Sequence, residues 1–378
     1  MGVYLDNAAT SWPKPESVYL AVDHFMREVG ATPGRGGYQQ EEDAQKIADE
    51  TRAALAQLFH APDPQGVIFT MNATYAINMA LKGLLRPGDH IVTSSIEHNA
   101  IWRPLKALEK RGVEITTVPC KPDGMLDPID VEAALRPDTR LVAMLHASNV
   151  LGTILPIAEI GKIIHHHKAL LLVDAAQTAG SFPIDMQAMG IDLLAFAGHK
   201  GTYGPQGTGG LVVMPGIHLE TWVEGGSGFP SRPETMPDEL PLRLEAGTQN
   251  STGVAGLLAG VQFVLEQGVE KIHAHEMRLA SQLIEQLQAI QDLSILGPSN
   301  LEQRTAVVSV TVENYIPDQL SAVLDKVFGV ATRAGLHCAP QAHQVAGTLE
   351  IGALRFSPGY FTIPEEIDYA VESLRNIL

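Results

Sequence analysis

The 378-residue sequence predicts an α/β fold: a mostly parallel sheet with helices on both faces, followed by a smaller α/β unit. Two observations carry this reading. From about residue 66 to 214, short apolar runs alternate with amphipathic stretches of helical period. Beyond residue 253 helix and strand patterns resume, after a Gly-, Ser- and Pro-rich segment at 225–241 that reads as a long surface loop. A chain of this length suggests two domains rather than one.

Taken in order, Val67-Ile68-Phe69-Thr70 reads as a strand, with a helical pattern over 74–85 behind it. A strand at 90–93 leads into a helical pattern over 100–110. Strands are expected again at 113–118, 141–145, 169–173 and 192–196. Gly210-Leu211-Val212-Val213-Met214 comes too soon after Lys200 for a crossover helix, so one antiparallel strand is expected there. The smaller unit reads as one long helix over 255–290, a strand at 306–312 and a helix after Pro317. Strands near Val330 and Ala353 and a last helix after Pro364 complete it.

Charge and composition exclude several functions. The net charge is −17, from 43 acidic and 26 basic residues, which argues against nucleic acid or an anionic membrane as the main partner. No apolar run approaches the ~18 residues of a membrane span, and the amino terminus lacks the basic and apolar segments of a signal peptide. Two cysteines cannot build a disulfide framework, so a reduced, cytoplasmic protein is expected. His165-His166-His167 suggests a metal only superficially, because adjacent helical positions point apart, and no metal is expected.

Two strand ends carry the chemistry. The apolar run 169–173 delivers Asp174, and the run 192–196 leads through Ala197-Gly198-His199 to Lys200. In an open α/β sheet such ends face one crevice, where ligands bind. Pyridoxal 5'-phosphate (PLP) needs this pair: an amine for its aldehyde, and an anion that keeps its ring nitrogen protonated. A lone lysine is usually a solvated charge, but Lys200 ends a buried strand beside the glycine-rich turn 203–210. Asn72-Ala73-Thr74 opens a helix and reads either as a phosphate site or as a plain N-cap. His98, after another strand, is placed to stack on a ring and handle protons. Asn149 and Gln177 are candidates for hydrogen bonds to the cofactor's ring oxygen.

The ordered series Glu97-His98, Ser148-Asn149, Asp174-Ala175-Ala176-Gln177, Gly198-His199-Lys200 and Ala246-Gly247-Thr248 resembles the cysteine desulfurase and selenocysteine lyase family, in the class V aminotransferase group of fold-type I PLP enzymes. The match runs from Tyr4-Leu5-Asp6-Asn7 to Leu354-Arg355-Phe356-Ser357. The resemblance implies a large PLP-binding domain, 15–254, with a mostly parallel seven-stranded sheet. It implies a small domain of 1–14 and 255–378 carrying a catalytic cysteine. It places PLP on Lys200, Asp174 at the ring nitrogen, and Gln177 and Asn149 near the phenolic oxygen. His98 falls on the ring face, and Ala73, Thr74 and His199 fall at the phosphate. Thr248 would reach the phosphate from the second subunit of a homodimer. Arg355, with Asn149, is the implied site of the substrate α-carboxylate, for which a planar guanidinium is suited. Arg35, in a glycine-rich loop, is expected at the active-site mouth of its own or the partner subunit. Ala73 and Ala197 stand where the family often carries hydroxyls, and Phe356-Ser357-Pro358-Gly359-Tyr360 departs from its usual wording.

A PLP site does not name a reaction; Cys338 narrows it. Arg333-Ala334-Gly335-Leu336-His337-Cys338-Ala339-Pro340 resembles the catalytic loop of cysteine desulfurases, where an accessible thiolate takes sulfur from the substrate. Free cysteines are commonly buried, but the Gly and Pro neighbours argue for a loop. His337 and Arg333 are expected to favour the thiolate, and Cys120 reads as structural. The expectation is therefore an L-cysteine desulfurase that yields L-alanine and a Cys338 persulfide. Its sulfur would pass to an acceptor protein, as in iron–sulfur cluster assembly. A selenocysteine lyase or cysteine-sulfinate desulfinase would share nearly every residue. An epimerase or aminotransferase on this scaffold would not need Cys338.

Overall fold

The computed structural model describes residues 2–34, 37–228, 232 and 234–378. Seven strands form the central sheet, in the spatial order Val67–Thr70, Gly209–Val213, Leu193–Ala197, Leu170–Asp174, Thr139–Leu145, His90–Ser94 and Glu114–Val118. Gly209–Val213 runs antiparallel to both neighbours and the other pairings are parallel, as the short connection after Lys200 predicts.

Strand period explains why these runs are apolar throughout. Leu171 and Val173 enter the core on one face of the sheet, and Leu172 between them enters the core on the other. On Leu172's face the helix Ala73–Leu84 buries Ala76, Ile77, Ala80 and Leu81, a stripe at helical spacing. Fully burying Ile77 or Leu81 contributes roughly 1.5–3 kcal/mol each. On the opposite face Ile157–His165 inserts Ile157, Ile160 and Ile164.

The second unit has its own core, around Leu279, Leu283, Val308, Val310, Leu354 and Phe356. Its sheet is antiparallel, in the order Arg333–Gly335, Ala353–Phe356, Val308–Val312, Leu293–Ile295. The amino terminus joins this unit: Val3–Tyr4 pairs with Val330–Ala331, and Leu5 is fully buried in the same core.

The structure corrects one expectation. The pattern at 255–290 is two helices, Ser251–Gln267 and Val269–Gln288, bent by 82° at Gly268. Gly268 has φ +83°, a backbone state that a residue with a Cβ rarely adopts, and it ends the first helix. The boundary expected at 254/255 falls inside Ser251–Gln267, whose Val254, Leu257 and Val261 pack into the central-sheet core. Two helices not anticipated from the sequence, Glu16–His24 and Gln39–Phe59, pack on that helix. No single helix among the described residues is long and apolar enough to cross a membrane.

Candidate active site

The carboxyl ends of the parallel strands open into a cavity of about 240 Å³. Asp174 ends its strand and Lys200 follows the next, and both line this cavity. His98, Asn149, Gln177 and His199 join them from four connections, and Arg333, Cys338 and Arg355 close it from the second unit. Two helices point their first turns here, Ala73–Leu84 and Asn99–Glu109. Asn72 is a true N-cap: its Oδ1 accepts from the Tyr75 amide at 2.9 Å. Capping does not use up the helix end, because its first amides have no partner within the helix. Ala73 and Thr74 therefore remain at a terminus that favours an anion.

Burial sets the charges. Lys200 is pushed down to about 8 by desolvation, reinforced by Arg355 and Arg333 and opposed by Asp174. Burial pushes Asp174 up, while the Ala176 amide at 2.9 Å and Lys200 pull it down. His98 is pushed to about 4 by burial first and nearby cations second, and its Nδ1 accepts from the Ala100 amide at 3.0 Å. It is thus a neutral imidazole with its proton on Nε2. His199 is likewise held near 4, and its buried Nδ1 has no partner among the described residues.

Sequence reasoning missed two carboxylates as site groups, although it quoted the segments that hold them. Asp6 Oδ1 accepts from Arg355 Nη2 at 2.6 Å, while Arg355 Nη1 donates to the Asn149 carbonyl at 3.0 Å. Arg355 Nε is buried without a partner among the described residues. The guanidinium is thus anchored from behind rather than free. Glu97 is wholly buried, accepts from Ser94 Oγ at 2.5 Å and from the Leu145 amide, and is raised to about 8 by desolvation. At neutral pH it favours the protonated carboxylic acid, close enough to Asp174 for that carboxylate's charge to add to the rise. Arg355 lies 349 positions from Asp6 and Leu145 lies 48 from Glu97, so local spacing carries no hint of either contact.

Cys338 is exposed, on a loop whose His337 and Cys338 have φ +50° and +57°. Neither residue is glycine, and each left-handed conformation costs on the order of 1–2 kcal/mol. The loop is tied to the sheet side: Asn149 Nδ2 donates to the His337 carbonyl at 2.7 Å, and the Asn99 amide to the Cys338 carbonyl at 2.9 Å. His337 departs from its expected role. Burial pushes it to about 3, so it is neutral and offers the thiol no positive charge; Arg333 is the nearby cation. Gln177 Nε2 donates to the Ala8 carbonyl at 3.0 Å.

Thr248 is not brought to this cavity within one chain. It lines two other clefts, one of about 350 Å³ beside Gln39–Phe59. Arg35 lies outside the described residues. Cys120 is half-buried against the central core, its amide bonded to Ser95 Oγ at 2.8 Å.

Comparison with known proteins matches residues 3–370 to the class-V aminotransferase family. The chain is 35% identical to a probable cysteine desulfurase of Methanothermobacter thermautotrophicus, over 99% of this chain and 94% of that one. It is 32% identical to a cysteine desulfurase of Escherichia coli, over 99% and 93%. Among solved structures, the apo cysteine desulfurase from Thermococcus onnurineus superposes with a TM-score of 0.93 at 31% identity, covering 100% of this chain and 94% of that chain. The cysteine desulfurase CsdA from Escherichia coli gives 0.90 at 27%, covering 99% and 94%.

Proposed function

Because the chain belongs to the class-V aminotransferase family, and within it to the cysteine desulfurases, we propose that it converts L-cysteine to L-alanine and takes the sulfur onto Cys338. The fold is that of fold-type I PLP enzymes, and the family is PLP-dependent. One observation carries the reaction: an exposed thiol stands at the same cavity as a half-buried lysine and a buried aspartate.

The donor set fits PLP. The partnerless His199 Nδ1 and the helix end at Ala73 and Thr74 suit a phosphate. Asp174 suits a ring nitrogen, Asn149 and Gln177 a ring oxygen, and the neutral His98 a ring face. When bound, PLP supplies an aldehyde for the substrate amine and a ring that accepts the electrons released at the α-carbon.

This chain's residues do the rest. Arg355, fixed by Asp6, holds the α-carboxylate. Lys200, lowered to about 8, has a free amine within reach of neutral pH, able to bond an aldehyde or take the α-proton. Cys338, as thiolate, bonds the substrate sulfur while the Cβ–S bond breaks and its electron pair stays on carbon. That carbon is protonated, so cysteine and thiol become alanine and persulfide with every atom accounted for.

Mass spectrometry after brief exposure to L-cysteine is expected to show one added sulfur on the Cys338 peptide. Cys338→Ala is expected to lose cysteine desulfuration by at least ~10³-fold while keeping its cofactor absorbance. Undiminished turnover in that variant overturns the reading. Thr248, remote from its own cavity, acts in a homodimer on the partner's phosphate site. Mixing inactive Lys200→Ala with inactive Thr248→Ala is expected to restore one working site per heterodimer. No regain in verified heterodimers removes the shared-site arrangement.

A further inference from the structure

Beneath Cys338 lie two histidines whose hydrogen bonds run in one direction. His337 Nε2 is 3.3 Å from the Arg333 carbonyl, and a carbonyl only accepts, so Nε2 carries the proton. A neutral imidazole has one N–H; His337 Nδ1 is therefore an acceptor, and His343 Nε2, 3.3 Å away, must donate to it. His343 Nδ1 is then an acceptor in turn, and Thr348 Oγ1 donates to it at 2.8 Å. The rings stack with centroids 5.6 Å apart and planes within 15°.

The chain from Thr348 through His343 and His337 to the Arg333 carbonyl thus has a single set of tautomers. Both rings are buried, at 4% and 0% exposure, and burial holds them near 3 and 4, so neither is charged at neutral pH. A proton on His337 Nδ1 would set two N–H groups face to face. The Thr348 amide also closes on the His343 carbonyl at 2.8 Å, just past the short helix Pro340–Val345 that carries His343.

We propose that His343 is a positioning residue for the sulfur-accepting thiol: by donating its Nε2–H to His337 it fixes the left-handed His337-Cys338 pair and so the place of the Cys338 thiol at the cavity. This rests on Cys338 being the sulfur acceptor. His343 does not line the cavity and acts through His337. It differs from a spacer because its donor atom, not its bulk, does the fixing.

The test uses holoenzyme. In 15N-histidine-labelled protein, His337 and His343 are both expected as Nε2–H tautomers at neutral pH; an Nδ1–H tautomer at either ring overturns the proposal. His343→Gln keeps an amide N–H near the position of Nε2, and His343→Leu keeps bulk without a donor. The Leu variant is expected to lose ~10-fold or more in kcat and in persulfide formation on Cys338, with KM within ~2-fold and cofactor absorbance retained; Gln is expected within ~3-fold of wild type. Equal losses in Gln and Leu, or loss in neither, overturn it. Should His343→Leu fail to fold, His343→Met takes its place. Cys338→Ala in parallel separates the failures. Turnover persisting there removes the acceptor reading, whereas a fully active His343→Leu beside an inactive Cys338→Ala removes the positioning role alone.

Discussion

Lys200 and Cys338 meet at one cavity from opposite kinds of structure. Asp174 ends, and Lys200 follows, strands whose side chains are buried on both faces and whose register is fixed by paired neighbours such as Leu172 with Leu193. Cys338 sits exposed, in left-handed backbone, tied down by two hydrogen bonds from Asn149 and Asn99. An acid and an amine that must hold one ring need fixed geometry, which ladder and core supply. On the proposed reaction, a thiol that reaches substrate in the cavity needs access, which a strand end denies. The fold therefore separates precision from access and joins them through a few named contacts.

The largest break comes on the sheet side. Lys200→Ala is expected to lower turnover by at least ~10⁴-fold and to abolish the borohydride-reducible adduct with PLP, because no second lysine lines the cavity among the described residues. A reducible adduct at another lysine would contradict the assignment. The fold itself should survive, since Lys200 lies beyond the last residue of its strand and its value depressed to about 8 marks a desolvation cost that the substitution removes.

A smaller effect tests the joint between the two regions. Asp6 comes from the amino-terminal segment and Arg355 from a strand of the second unit; in their ion pair Arg355 is buried and Asp6 is 20% exposed. Asp6→Asn keeps the shape and removes the charge. KM for L-cysteine is expected to rise ~10-fold with kcat changed ~2-fold or less, because a looser guanidinium weakens carboxylate binding more than the later sulfur transfer. An unchanged KM would mean that the Asn149 carbonyl suffices to hold Arg355 and that the Asp6 charge adds nothing to carboxylate binding.

The two regions were not equally legible in the sequence. Apolar runs that end in Asp174 or lead to Lys200 announce themselves, since a strand buried on both faces has no other composition. The antiparallel Gly209–Val213 followed from loop length alone. Around Cys338 the Gly and Pro neighbours indicated a loop, but nothing in His337-Cys338 indicates two left-handed residues, because that conformation is imposed by Asn149, Asn99 and the buried histidine pair. Adjacency to Cys338 reveals the residue type of His337 and not its burial, which is what makes it neutral. The break at Gly268 was missed for a related reason: a glycine inside a periodic pattern is often tolerated, and only its positive φ ends the helix. Asp6 stayed hidden because its partner lies 349 positions away.

The smallest effect asks whether the two regions answer acid differently. His146 lies on the sheet side, fully buried, its Nδ1 3.1 Å from Thr178 Oγ1, and desolvation pushes it from 6.5 to about 4. His337 and His343, under Cys338, are pushed to about 3 and about 4. In each case the folded value lies below the unfolded one, so the unfolded chain takes the proton first as pH falls. The stability tied to each histidine is complete above about 6.5 and is lost toward 4, at up to ~1.4 kcal/mol per pH unit for one proton. Glu97, raised from 4.5 to about 8, has the opposite sign: it favours the folded state increasingly as pH falls from 8 to 4.5, so the slopes of variants must be compared and not the wild-type slope alone. If the sheet side yields only with the whole fold, His146→Gln flattens the pH slope of global unfolding between 6 and 4.5 by about one proton. If the loop opens by itself, His343→Gln leaves that slope unchanged. Instead, in wild type, exchange of the 339–348 amides, corrected for intrinsic rates, speeds up as pH falls from 6.5 to 5, and His343→Gln blunts the rise. Equal flattening by the two variants would show that the loop is as firmly built into the fold as the strands are, and access would then have to come from some other movement.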